Sequence, residues 1–182
     1  MQLQPADIFL SRGTGLASGV IRFFTRRIGE RLSKASHTGV VVAGGSLERA
    51  RVVEALVRVG EHPLSRYDKK AGTQVAIYRP LRLDAAQRAA VVAKTREYVG
   101  REYGYFQLVG HFLDWFLQGA YVFRRLTGSD DYPICSWVVA HAFAVVGVTF
   151  GVEPGAAQPD DIHDYVSTHP DQFERIREFA PL

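Results

Sequence analysis

The sequence predicts an α+β domain, with an antiparallel sheet covered by helices on one side. Three observations predict it. β-Branched, strand-like runs cluster in the first 80 residues, while helical patterns fill most of the remaining chain. Two of those runs flank a Gly-Gly-Ser turn, a hairpin signal. A strongly apolar segment, 134–146, reads as a buried helix.

Ala6-Asp7-Ile8-Phe9-Leu10 forms a short first strand, broken by Gly13-Thr14-Gly15. Residues 16–34 come next as a helix. Val20, Phe24 and Ile28 recur at i, i+4 and i+8, Ile21 and Phe23 widen that side, and Arg22, Arg26 and Lys34 lie off it. Such a face suits a core-packed helix and also a membrane-surface helix. SHTGVVVAGGSLERARVVEALV, residues 36–57, is the hairpin, and QVAIYR, residues 74–79, is a further strand ended by Pro80. Asp84 is placed to N-cap a helix running to Val99, with Gly100 closing it. Residues 103–126 are aromatic-rich. His111, Asp114 and Gln118 interrupt them on one helix face, which points to an amphipathic helix or helical hairpin, on the core or dipping into a membrane. The buried helix 134–146 stops at Gly147. Gln158 to Leu182 holds a Pro-Asp-Asp helix start and a short charged helix or strand.

A chain of 182 residues is sized for a single domain spanning 1–182. With 47% apolar and 23% charged residues, it has an ordinary globular composition rather than a disordered or fibrous one. Its single cysteine excludes an internal disulfide and any multi-cysteine metal cluster. MQLQPADIFL has no basic start and no long apolar run, so no signal peptide is expected and a cytoplasmic, reducing location is. The net charge of +3 is too small to point to nucleic acid, and no nucleic-acid-binding signature stands out. Charge is unevenly spread. Arg12 to Lys34 holds six Lys/Arg against Glu30, and Ser129 to Leu182 holds nine Asp/Glu against two Arg. That asymmetry either steers a partner or marks two solvated faces. Oligomeric state is not legible.

The lone cysteine carries the chemistry. It sits in Asp131-Tyr132-Pro133-Ile134-Cys135-Ser136-Trp137. Pro133 halts the preceding segment, so Cys135 falls in the first turn of the next helix. Unpaired N–H groups and the positive dipole end there stabilise a thiolate, and a lowered thiol pKa makes a nucleophile. A buried structural cysteine is the competing reading. Among the six histidines, His37 is the best-placed base. It opens the strand His37-Thr38-Gly39-Val40-Val41-Val42, where Gly39 on the same face leaves room for another group. A turn centred between Gly45 and Ser46 puts Glu54 directly opposite His37. Glu54 stands alone in an apolar run and needs a partner if buried. Accepting a hydrogen bond from the imidazole would meet that need and fix its tautomer.

These residues resemble the circularly permuted branch of the NlpC/P60 superfamily of papain-like cysteine hydrolases, the YiiX/YebB-like group, in which the histidine precedes the cysteine. The likeness rests on the early Asp-Ile strand, Ser36-His37-Thr38-Gly39-Val40-Val41-Val42, Val53-Glu54-Ala55, Cys135-Ser136-Trp137-Val138-Val139 and Pro159-Asp160-Asp161-Ile162, which in order span most of the chain. It implies a small barrel-like sheet and a permuted papain-like fold. It also implies Cys135 as nucleophile, His37 as general base and Glu54 as the polar third residue. The activity implied is that of a cysteine peptidase or amidase (a thiol protease), working through an acyl-enzyme on amide bonds such as those of cell-wall peptides. The family's glycine before Asp7 is Ala6 here, and no family motif anchors 103–126.

Tyr103 and Tyr105 are candidate substrate-binding hydroxyl donors and equally core aromatics. No cofactor is expected. Asp160, Asp161, His163, Asp164 and His169 match no familiar metal spacing, and Ser11-Arg12-Gly13-Thr14-Gly15 lacks the lysine of a phosphate loop. His141 falls off the cysteine's helix face. The expected substrate is a peptide or an acyl amide or ester. The alternative is a lipid-directed acyltransferase or thioesterase with peripheral membrane contact. It draws on 16–34, on 103–126 and on a resemblance to the lecithin:retinol acyltransferase group, which shares the His-before-Cys order.

Overall fold

The computed structural model describes residues 1–13, 34–68, 71–102 and 134–182. Within them six strands and three α-helices run in the order β1 (Ile8–Arg12), β2 (His37–Ala43), β3 (Arg51–Ala55), β4 (Val59–Pro63), β5 (Gln74–Pro80), α1 (Ala85–Glu97), α2 (Cys135–Ala144), α3 (Pro159–Thr168) and β6 (Phe173–Ala180). The α+β class stands. The strands form one antiparallel sheet, ordered β4-β3-β2-β1-β5-β6. It is open: among the described residues β4 and β6 each pair with one strand, at opposite ends of the sheet, and do not meet to give the barrel-like closure implied by the family resemblance. Residues 16–33 of the predicted helix 16–34 and the aromatic stretch 103–126 lie outside the described residues. No helix among the described residues is long and apolar enough to cross a membrane.

Local chemistry explains most boundaries. β1 starts two residues later than expected because Ala6 takes φ +67, a left-handed turn conformation that glycine adopts most easily. Extended backbone begins only after it. Asp7 is buried at the strand entrance, where the Arg79 guanidinium grips both its carboxylate oxygens at 3.0 and 2.7 Å. α1 begins as read. Asp84 accepts from the Gln87 N–H at 2.8 Å, and the Gln87 side chain accepts from the Asp84 N–H at 3.0 Å. Gly100, at φ +95, lies beyond its end. α2 starts at Cys135 and ends before Gly147, at φ +76. The charged tail resolves into α3 and β6, and β6 returns to pair with β5. β4 was not expected from VGEHP. As an edge strand it tolerates Gly60 and Pro63.

Alternation along the strands gives the sheet two buried faces. Ile8, Leu10, Val40, Ala76 and Tyr78 face the helices and pack with Val139 and Phe143 of α2 and with Ile162 and Val166 of α3. On that same side, Val42, Val53 and Ala55 pack with Val92 of α1 and with Cys135, Trp137 and Val138 of α2. Phe9, Val41, Val52 and Ile77 point the other way, into a smaller core closed by Leu64 and Tyr67. Those two residues belong to a 3-10 turn, Leu64–Tyr67, directly after β4.

Candidate active site

The β2–β3 hairpin sets the site. Its turn is longer than Gly-Gly-Ser, because the Ser46 carbonyl accepts from both Arg49 and Ala50 N–H (3.0 and 2.9 Å) and coils the chain before β3. A bulge between Val41 and Ala43 then takes back one residue of the resulting offset, since Ala43 pairs with Arg51 on its turn side and Val41 with Val52 beyond it. Glu54 therefore stands opposite Gly39 rather than His37. The slip is two residues, so Glu54 stays on His37's face and the two meet as a diagonal pair. His37 Nε2 lies 2.7 Å from Glu54 Oε2; since a carboxylate only accepts, the ring donates. That leaves Nδ1 for the Cys135 side chain, to which His37 is also hydrogen-bonded.

Gly39 is what lets this corner close. A Cβ there would lie 2.5 Å from the Phe9 ring and 2.5 Å from the Val53 carbonyl oxygen. Phe9 fills the space instead and packs on the rings of His37 (centroids 6.0 Å apart) and Tyr67 (5.5 Å).

Cys135 reaches His37 from the helical side of the sheet. The β2–β3 ladder ends at the Gly39–Glu54 pair. One residue beyond, the Thr38 N–H points at the Cys135 sulfur, and so does the Ser136 N–H in the first turn of α2. The thiol thus stands in for the missing strand partner at the frayed end of the ladder. His37, at the first position of β2, bends round that end to meet it. Cys135 is the first residue of α2, as its place after Pro133 predicted, with Ile134 as an extended N-cap. Its own N–H has no intrahelical acceptor.

The electrostatics follow from these contacts. Burial alone would raise the Cys135 thiol pKa. The imidazolium charge, the His37 hydrogen bond and the two backbone N–H groups outweigh it and hold the pKa below the ordinary value. Burial would likewise lower His37, but the charge and hydrogen bond of Cys135, then those of Glu54, raise it to about 10. Glu54 is fully buried, which favours its neutral form. The His37 contact, the Tyr67 hydroxyl and the Arg66 charge reverse this and bring it to about 2. The resting state these contacts favour is a thiolate–imidazolium pair backed by a carboxylate.

Sequence reasoning missed Arg66 and Tyr67. Arg66 Nη1 donates to Glu54 Oε1 at 3.2 Å, and the Tyr67 hydroxyl donates to Glu54 Oε2. Burial and the Glu54 charge keep the Tyr67 phenol well above its usual pKa, so it stays a donor. The one available signal was that a buried carboxylate needs more than one donor. Nothing in 64–67 said where the second would come from.

Other candidates lie elsewhere. His141 stacks on Trp137, with ring centroids 3.9 Å apart. Asp160, His163 and Asp164 share one face of α3, and their ligand atoms lie within 4.8 Å of one another. Asp161 caps the start of α3 by accepting from the Gln158 N–H, and His169 stacks on Tyr165 at 4.0 Å. Tyr103 and Tyr105 lie outside the described residues.

No family model matches the chain, and comparison with curated proteins finds no match. A solved structure does match: the metalloprotein yiiX from Escherichia coli O157:H7 (DUF1105). The TM-score is 0.60 and the identity 21%, over 92% of this chain and 82% of that one. At this identity the likeness establishes the fold, which is yiiX-like.

Proposed function

We propose that this chain is a cysteine hydrolase of the permuted, papain-like NlpC/P60 type, acting on amide bonds of peptides. One observation carries the reading: His37 bridges the Cys135 thiol on one ring nitrogen and the Glu54 carboxylate on the other. In this mechanism the Cys135 thiolate attacks the substrate carbonyl carbon and forms a C–S bond. The oxyanion is held by N–H groups at the start of α2, that of Cys135 among them. Collapse breaks the C–N bond, and His37 Nδ1 gives its proton to the leaving amine. Water then adds to the thioester as His37 takes up a proton. The carboxylate product leaves and the thiolate–imidazolium pair is restored. Glu54 fixes the ring and keeps its charge throughout.

No metal step enters this scheme. The yiiX structure belongs to a protein described as a metalloprotein, but the donors here do not suit a resident ion. Both His37 nitrogens and both Glu54 oxygens are engaged. In the α3 cluster Asp160 Oδ1 accepts from the Lys34 N–H at 3.0 Å. A polar cavity of about 240 Å³ touching His163 is lined by Arg12, Lys34 and Arg175 against a single acid, Glu178, so the balance of charge there opposes a cation.

A second reading, a lipid-directed acyltransferase or thioesterase, has one observation in its favour. An apolar cavity of about 430 Å³ is lined by Val42 and Val92, which belong to the same buried cluster as Cys135. Both readings need a reactive sulfur. Iodoacetamide should alkylate Cys135 rapidly near neutral pH, and His37→Ala should slow it at least about tenfold, the change for one unit of thiol pKa. Equal rates in the two proteins would remove the catalytic reading. Mass spectrometry of Cys135 trapped during turnover separates the two: a peptidyl adduct supports the peptidase, a fatty-acyl adduct the lipid enzyme.

A further inference from the structure

The 3-10 turn Leu64–Tyr67 brings two donors to Glu54 that no strand register supplies. Tyr67 shares Oε2 with His37, and Arg66 holds Oε1 at 3.2 Å. Glu54 is fully buried, so water cannot replace either. The turn is itself pinned. The Leu64 N–H donates to the Ala50 carbonyl at 2.9 Å, the Asp68 N–H closes the turn onto Ser65 at 3.1 Å, and the Tyr67 ring rests on Phe9. The first of these joins the turn to the hairpin that carries His37 and Glu54, and the last joins it to β1. We infer that Tyr67 and Arg66 are positioning residues for the cysteine chemistry: by gripping the Glu54 carboxylate they keep it charged and fix which oxygen meets His37, so that Nδ1 faces the sulfur.

This inference rests on the hydrolase reading. A carboxylate that takes up a proton no longer stabilises the imidazolium beside it, and the thiolate loses its counter-ion. Without the Tyr67 hydroxyl, Glu54 protonates at higher pH, and the acidic arm of the thiolate profile moves up with it. A merely structural tyrosine would affect unfolding and leave that arm in place.

The test is the rate of Cys135 alkylation by iodoacetamide against pH, in the full chain. There is one cysteine, so the label needs no assignment. Tyr67→Phe, which keeps the ring on Phe9, should move the acidic arm up by about one pH unit, in keeping with loss of a hydrogen bond to a charged group. Arg66→Gln, at a half-exposed side chain (30%), should move it the same way by less. If Tyr67→Phe fails to fold by circular dichroism, Arg66→Gln carries the test alone. A folded Tyr67→Phe protein whose acidic arm coincides with wild type overturns the inference; so does an unmoved Arg66→Gln where it stands alone. The two failures are distinct. If wild-type Cys135 titrates like a free thiol and ignores His37→Ala, the hydrolase reading falls. If wild type shows a His37-dependent profile that the Tyr67 and Arg66 variants leave unmoved, only this inference falls.

Discussion

Replacing Glu54 by glutamine tests the electrostatic core of the site. The carboxylate is fully buried and accepts from His37, Tyr67 and Arg66. Its pKa falls from 4.5 to about 2, and at about 1.4 kcal/mol per pH unit that drop corresponds to about 3 kcal/mol. The sign is set by proton uptake. The unfolded chain binds this proton near pH 4.5 and the folded chain only near pH 2. The contribution is therefore complete above about pH 5 and disappears as the pH falls to about 2. Glu54→Gln keeps the shape and removes the charge, leaving the imidazolium with the Cys135 thiolate alone and the Arg66 guanidinium without its carboxylate. Its unfolding free energy at about pH 7 should drop by about 3 kcal/mol, in line with breaking one side of a buried pair. Between about pH 5 and 3 it should decline less steeply than wild type. Urea unfolding followed by circular dichroism at about pH 3, 4, 5 and 7 measures both. A variant within about 0.5 kcal/mol of wild type at pH 7, with the same acid decline, would show that Glu54 contributes no net charge pairing.

Two further outcomes probe the frame around the site. Gly39→Ala should cost about 1–3 kcal/mol in the same urea assay, because the new methyl meets the Val53 carbonyl oxygen at 2.5 Å and that atom belongs to the ladder; it should also slow Cys135 alkylation, since Phe9 is displaced toward His37. Asp84→Ala removes the cap of α1 and should cost about 1 kcal/mol, with the alkylation profile unchanged; a changed profile would mean that α1 is coupled to the thiol more tightly than their packing suggests.

The fold was legible where a local rule and a tertiary demand agree. Asp84, Gln87 and Gly100 bracket α1 whether or not the rest of the protein is present, so its ends could be read from residue types. The same holds for α2, between Pro133 and Gly147. β4 and β6 were harder. Both are edge strands with polar, part-exposed side chains, and an edge strand needs no apolar alternation to hold its ladder. The open sheet was not legible at all, because closure depends on whether two edges meet and no single segment encodes that.

The site shows why an inexact register was enough to find it. Placing the turn at Gly45–Ser46 misjudged the hairpin by two residues, yet Glu54 was still assigned to His37, because strand side chains repeat every second residue and a slip of two keeps the face. A slip of one would have turned Glu54 into the helical core and Val53 out of it. The chemistry tolerated the remaining error, since a glutamate spans a diagonal as readily as a direct pair, whereas an aspartate is one methylene shorter. Arg66 and Tyr67 had no such protection. They come from a turn whose path depends on Leu64 finding the Ala50 carbonyl, one step past the Arg51–Pro63 end of the β3–β4 ladder, and on Tyr67 finding Phe9, a ring contact between segments that share no ladder. Groups placed by strand pairing can be found by counting along the chain; groups placed by loop packing emerge only after the core has been built.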